Sequence, residues 1–256
     1  MNSNWNSESE HAIKRQANDF VFSMYGGMTC RLALSMPSLT AGCMRQCLNH
    51  GIFDAGTMHV VIERGGFKYN GKSVTYDMYK DALSDVMNGI FSTDKYLSQQ
   101  CRLYWGELGD GMTNIGMREK PSSIEWGNYD TCSFVYSIDR WLKYHLRAFR
   151  DNAPIILTFD ADYENRQWTK NKNSIVFSNT SKQRGVLTKW FNTPCINRFC
   201  HNDELLDLVE NVKMAGAINY LESVGVAVDF AGCYREDNEQ AKLMMMFSGR
   251  KKHLPA

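Results

Sequence analysis

The chain lacks several features that would assign it to a class at once. No apolar run approaches the ~20 residues a membrane-spanning helix needs, so no segment reads as transmembrane. Charge of one sign is missing too: 29 basic and 28 acidic residues leave a formal net charge of +1. A general electrostatic attraction to polyanions is therefore not written into the composition, although a local basic patch remains open. Proline is scarce, 5 in 256 residues, and 19 glycines are too few for a disordered or low-complexity chain. Paired Cys-x-x-Cys spacing, the strong mark of a zinc site, is also absent. Met1–Arg15 is polar, with Glu8, Glu10 and Lys14, and matches neither a signal nor a transit peptide.

What is present is ordinary for a globular protein: 43% hydrophobic and 22% charged residues, enough for a sizeable core in one large α/β domain. Eight cysteines (30, 43, 47, 101, 132, 195, 200 and 233) are more consistent with free thiols in a reducing compartment than with a disulfide framework, because a chain this long needs no staples. The expected location is the cytoplasm.

Residues 1–17 read as a flexible or loosely docked arm, followed by one domain over 18–256. The apolar runs Phe20–Tyr25 and Cys30–Met36 are both first-strand candidates. Thr40 can cap a helix from Ala41 to Asn49, which Gly51 would end. Met58–Glu63 reads as a strand ending on an acid. Tyr76–Ile90 reads as a helix with Met78, Ala82, Val86 and Ile90 on its apolar face. Cys101–Trp105, a weaker segment Ser123–Cys132 and the clear run Pro154–Phe159 supply further strands. Between the last two, a helix carries Ile138, Trp141, Leu142, Leu146 and Phe149. A polar stretch, 160–202, reads as an insertion. A helix near Asp203–Ser223 then precedes two strands, Val226–Tyr234 and Leu243–Phe247, joined as a hairpin.

Alternating strands and helices predict a mostly parallel sheet with helices on both faces. The terminal hairpin makes the last strand run against the others. This arrangement, over roughly 31–250, resembles the class I S-adenosylmethionine-dependent methyltransferases, which carry a seven-stranded sheet of this type. The resemblance rests on element order and on acids at strand ends.

It implies S-adenosylmethionine as cofactor and the following site. The loop after the first strand, with Ser35, Pro37, Ser38 and Gly42, would hold the methionine end; it has one glycine and no preceding acid. Glu63, ending the second strand, would accept from both ribose hydroxyls, as a carboxylate suits a vicinal diol. The competing reading is a solvated strand end or a pair with Arg64. Glu107 and Asp110 would lie near the adenine, or form an ordinary Gly-Asp-Gly turn. Asn128 and Asp130, at the end of the fourth strand, would orient the acceptor or serve as base. Cys132 reads as a small buried residue and not a nucleophile.

Trp168, Lys182, Arg184 and Trp190 belong to a segment mixing bases and aromatics, which suits phosphate neutralisation and base stacking. A nucleic acid or nucleotide is the expected acceptor, and a protein partner stays open. Two other readings remain: a methyltransferase-like binding or accessory protein without catalysis, and a metal-dependent nucleotide-processing enzyme using Asp160 and Asp162. Cys195, Cys200 and His201 could contribute to a zinc site, but their spacing is not that of a zinc motif, and no metal is expected.

Overall fold

The computed structural model describes residues 12–36, 42–64, 68–69, 72–106, 119–131, 142, 144–160, 212–235 and 243–253. The elements are α1 (Ala12–Ser23), β1 (Leu32–Ser35), α2 (Gly42–Asn49), β2 (Met58–Arg64), β3 (Lys68–Tyr69), β4 (Lys72–Ser73), α3 (Tyr76–Phe91), β5 (Cys101–Gly106), β6 (Trp126–Thr131), β7 (Pro154–Asp160), α4 (Val212–Val224), β8 (Val226–Arg235) and β9 (Leu243–Lys251). A single helical turn, Tyr96–Gln100, leads into β5. Among the described residues the short strands β3 and β4 pair with each other as a separate two-stranded sheet.

The main sheet has seven strands in the order β5-β2-β1-β6-β7-β9-β8. The pairs β5·β2, β2·β1, β1·β6 and β6·β7 are parallel, whereas β9 is antiparallel to both β7 and β8. The expected α/β sheet with a reversed final strand is therefore present. That strand lies second from the edge, between β7 and β8, and the earlier strand of the hairpin forms the margin.

Successive strand residues point to opposite faces, and two apolar clusters follow from this. One face packs Leu34, Val60, Ile62, Tyr129, Ile155 and Leu157 against Leu142, Leu146 and the α4 residues Ala217, Ile218 and Leu221. The other packs Ala33, Val61, Trp126, Ile156 and Phe230 against α1, α2 and α3.

Residues 12–17, placed by sequence in the arm, form the first half of α1, and Phe20–Tyr25 continues that helix and its closing turn instead of forming a strand. The reason is visible in the burial. Ala17, Val21, Phe22 and Tyr25 are buried while Ser23 and Met24 are exposed, a period near 3.6 that a short apolar run conceals. Asn18 is buried on the same face and donates to Gln46 Oε1 at 3.1 Å, and Gln46 Nε2 donates to Arg15 O at 2.9 Å, tying α1 to α2.

Helix α2 ends as its sequence implies. Gly51 has φ +67°, and the amides of Ile52 and Gly51 donate to Cys47 O and Leu48 O at 2.9 and 3.0 Å, a Schellman-type stop. In α3, Thr75 caps the start by accepting from the Met78 amide at 3.3 Å. Its buried face is Tyr79, Leu83, Met87 and Phe91, one residue on from the expected stripe, and Met78 is 47% exposed. Both series are spaced by four; the bulkier one goes inward because it removes more apolar surface from water.

Candidate active site

From β1 the chain passes to β2 on one side, and β6 lies on the other. In parallel α/β sheets such a reversal opens a crevice beyond the carboxyl ends of the strands. The register describes its floor and lips. Ser35, the last residue of β1, is level with Val61 of β2 and Asn128 of β6. Strand β2 continues to Glu63 and Arg64, and β6 continues to Asp130 and Thr131. The Met36 amide makes the last bond from β1, to Asn128 O at 3.0 Å. Beyond it, β2 and β6 stand roughly 10 Å apart, two strand spacings, and each extends roughly 7 Å past the floor. Glu63 and Asp130 sit on opposite lips of this step.

All four polar residues share one face. Ser35, Glu63, Asn128 and Asp130 alternate along their strands with Leu34, Ile62 and Tyr129, which enter the opposite core. They therefore lie on the side covered by α1, α2 and α3.

Ser35 is 1% exposed, and among the described residues nothing hydrogen-bonds its hydroxyl. A buried polar group without a partner is costly, and such a group at a crevice marks a place where a ligand or further chain completes it. Asn128 is buried beside it in the register.

Asp130 is held by Lys14 of α1 in a direct ion pair, with the two side chains 26% and 21% exposed. Burial alone would lower the Lys14 pKa, but Asp130, with Tyr234 and Cys43 adding to it, together outweighs burial and holds the ammonium above the usual lysine value.

Glu63 lies within electrostatic reach of Tyr79 of α3: burial, and after it the charge of Glu63, raises the Tyr79 phenol well above the ordinary tyrosine value. That ring is fully buried and lies tilted against Trp105, ring centroids 5.0 Å apart. Trp105 is the direct strand partner of Glu63, and Tyr76 meets its edge at 6.2 Å. The carboxylate therefore projects from a wall of aromatic rings at the ends of β2 and β5.

Of the residues chosen from sequence, Ser35, Asn128, Asp130 and Glu63 come together at this edge, and Gly42 opens α2 behind it. Pro37, Ser38, Glu107, Asp110, Trp168, Lys182, Arg184 and Trp190 lie outside the described residues. So do Cys132, Asp162, Cys195, Cys200 and His201. Among the described residues no group of three or more His, Cys, Asp or Glu side chains could hold a metal ion. The Cys43 thiol of α2 is pushed up to about 11, first by burial and then by the charge of Asp130, which disfavours the thiolate a metal would need.

Lys14, Tyr79 and Trp105 escaped the sequence reading. Trp105 carried a usable signal, since the last residue of a parallel strand beside an acid-ending strand falls at the same crevice. Lys14 carried none until α1 was recognised as a helix.

No protein-family model matches the chain, and no curated protein matches it in sequence. Solved structures do match in three dimensions. One is the 1,6-didemethyltoxoflavin-N1-methyltransferase of Burkholderia thailandensis, with bound 1,6-didemethyltoxoflavin and S-adenosylhomocysteine. The match covers 96% of this chain and 80% of that one, with 7% identity and a TM-score of 0.50. Another is a chain from the complex between the Haloferax volcanii Trm112 methyltransferase activator and its methyltransferase partner, covering 97% of this chain and 92% of that one, with 7% identity and a TM-score of 0.50.

The fold is the class I methyltransferase fold. Strand order, the inserted reversed strand and the end-to-end match agree on it. Among the described residues no helix of this methyltransferase fold is long and apolar enough to cross a membrane.

Proposed function

We propose that the chain binds S-adenosylmethionine at the step between β2 and β6 and directs its methyl group to an acceptor bound beside β6. The observation that carries this reading is that Glu63 and Asp130 lie on opposite lips of the crevice, above a Ser35 hydroxyl that finds no hydrogen-bond partner among the described residues. Glu63 can accept from a ribose diol, because a carboxylate offers about four lone-pair directions. Ser35 supplies a buried hydroxyl at the floor, which a polar group of the cofactor would satisfy.

When bound, the sulfonium of the cofactor supplies the methyl group already activated, so the protein's own task is placement and electrostatics. Asn128 and Asp130 would orient the acceptor from the β6 lip. The Lys14 ammonium balances Asp130, so that lip is not a lone negative charge. A nucleic acid or nucleotide acceptor is supported by the sequence of 168–198, where Lys170, Lys172, Lys182, Arg184, Lys189 and Arg198 are interleaved with Trp168, Trp190 and Phe191.

A second reading is a methyltransferase-like scaffold that binds a partner without catalysis. The single glycine of the loop after β1 favours it. Calorimetry with S-adenosylmethionine, S-adenosylhomocysteine and Mg²⁺ separates the readings. Cofactor binding that is lost in Glu63→Ala supports methyl transfer. Absence of binding to both adenosyl ligands refutes the cofactor site and leaves the scaffold reading. Mg²⁺ binding lost in Asp160→Asn would instead revive the metal-dependent alternative.

A further inference from the structure

We propose that the β3–β4 hairpin and the start of α3 form a docking surface for single-stranded nucleic acid beside the crevice. This deepens the acceptor part of the proposed function and rests on it only for the place of the cofactor in the crevice.

The position of the hairpin comes from the topology. Strand β2 ends at Arg64, one residue past Glu63, and α3 begins at Tyr76 behind its Thr75 cap. Between them Lys68 pairs with Ser73 and Tyr69 with Lys72, across the dipeptide Asn-Gly that favours a two-residue hairpin connection. The hairpin therefore stands at the carboxyl edge of the sheet, next to the Glu63 lip. Its own pairing does not account for it, since a lone two-stranded ribbon is marginal in water. Val74 is buried in the core cluster of α1, α2 and α3 and anchors the ribbon at its base, while Lys72 and Ser73 are exposed.

Charge and an exposed ring then name the partner. Between Glu63 and Asp77 the sequence holds Arg64, Lys68 and Lys72 and no acid, in a chain whose 29 basic and 28 acidic residues nearly cancel. Tyr76 closes this stretch. It is 43% exposed, and its ring stands edge-on to Trp105, the strand partner of Glu63, at 6.2 Å. Lys80, also exposed, lies one turn further along the same side of α3. Asp77 and Asp81, exposed too, occupy the adjoining stripe of the helix and bound the positive surface there. An exposed ring among cations matches a strand of alternating phosphates and unstacked bases. A duplex keeps its bases stacked on one another, and an anionic membrane offers no base to the ring.

Fluorescence anisotropy of the full chain with a labelled single-stranded RNA of about 12 nucleotides, within the span such surfaces cover, tests this. The wild type should bind it more tightly than the duplex of the same sequence, with an affinity that falls as salt rises. Lys68→Gln/Lys72→Gln should weaken binding several-fold and lower the slope of log K against log salt by about 1.4, two phosphate contacts at about 0.7 each. Tyr76→Ala should weaken it roughly fivefold or more with the slope unchanged, the scale of one lost base stack, and Tyr76→Phe should restore it. Lys95→Gln, at an exposed lysine beyond the far end of α3, is the control and should change nothing. Thermal midpoints check the fold of each variant. Wild-type affinity in both Lys68→Gln/Lys72→Gln and Tyr76→Ala, equal affinity for the duplex, or binding to phosphatidylserine vesicles in place of RNA would overturn the docking surface. Calorimetry with S-adenosylhomocysteine is read separately. Cofactor binding without RNA binding sinks this inference alone, and RNA binding through these residues without cofactor binding sinks the methyl-transfer reading alone.

Discussion

Lys14 of α1 and Asp130 of β6, 116 residues apart in sequence, form an ion pair over the carboxyl edge of the sheet. The pair fastens α1, whose first half falls in the stretch expected to be a loose arm, directly to a lip of the crevice. With about a quarter or less of each side chain exposed, it lies between the weak pairs of open surface and the strong ones of the interior. Lys14→Met should therefore lower the unfolding free energy by about 1–2 kcal/mol in urea titration. A cycle with Asp130→Asn should show a coupling of about 1 kcal/mol. Additive single-variant losses would mean the two groups act independently.

Ser35 gives a prediction in which stability and binding move in opposite senses. Ser35→Ala removes a buried hydroxyl that finds no hydrogen-bond partner among the described residues and so relieves its desolvation cost; the variant should leave the thermal midpoint unchanged or slightly raised. The same variant should weaken S-adenosylhomocysteine several-fold if the ligand completes that hydroxyl. A lower midpoint with unaltered affinity would show that the hydroxyl is satisfied by the chain itself.

His59 of β2 should make stability depend on pH. It is 1% exposed, neither ring nitrogen finds a hydrogen bond among the described residues, and Phe53, Phe91 and Tyr96 surround it at 4.9, 5.2 and 5.6 Å. Burial lowers its pKa from 6.5 to about 3. The folded state therefore refuses a proton that the unfolded state accepts. The stabilisation is complete above pH 6.5 and falls as pH drops towards 3, by about 1.4 kcal/mol per unit. His59→Leu should flatten that share of the slope in denaturation curves taken between pH 6.5 and 4. An unchanged slope would assign it to other groups.

Gly127, between Trp126 and Asn128 in β6, tests the packing beneath the site. A methyl group there would stand 2.7 Å from two ring atoms of Phe149, itself fully buried. Gly127→Ala should cost about 2 kcal/mol in urea titration, the range for overpacking a dense core. A neutral result would mean that the Phe149 ring can shift at little cost.

Much of this molecule was legible in sequence where one residue type and one short period told the story. The apolar runs at Met58–Glu63 and Pro154–Phe159 read as strands, and they lie within β2 and β7, inner strands of the sheet. Gly51 ended α2 for a conformational reason visible in its letter. What stayed hidden depended on contacts between distant segments. Nothing near Lys14 in sequence announces Asp130, 116 residues away. The α3 stripe was displaced by one residue because two apolar series ran in parallel and only side-chain bulk separated them. In α1, a run of apolar letters looked like a strand because the exposed Ser23 and Met24 interrupt it only at its end.

The inboard place of β9 makes it the strand that closes two edges. Strand β8 leaves α4 with its sheet edge bare, since β7 is not its neighbour and the joining ladder belongs to β9. Strand β8 joins the rest of the sheet through β9, which bonds to β7 on one side and to β8 on the other. Without β9 the facing edges of β7 and β8 would have no strand to bond, and unpaired edges of that kind are what other chains pair with in aggregation.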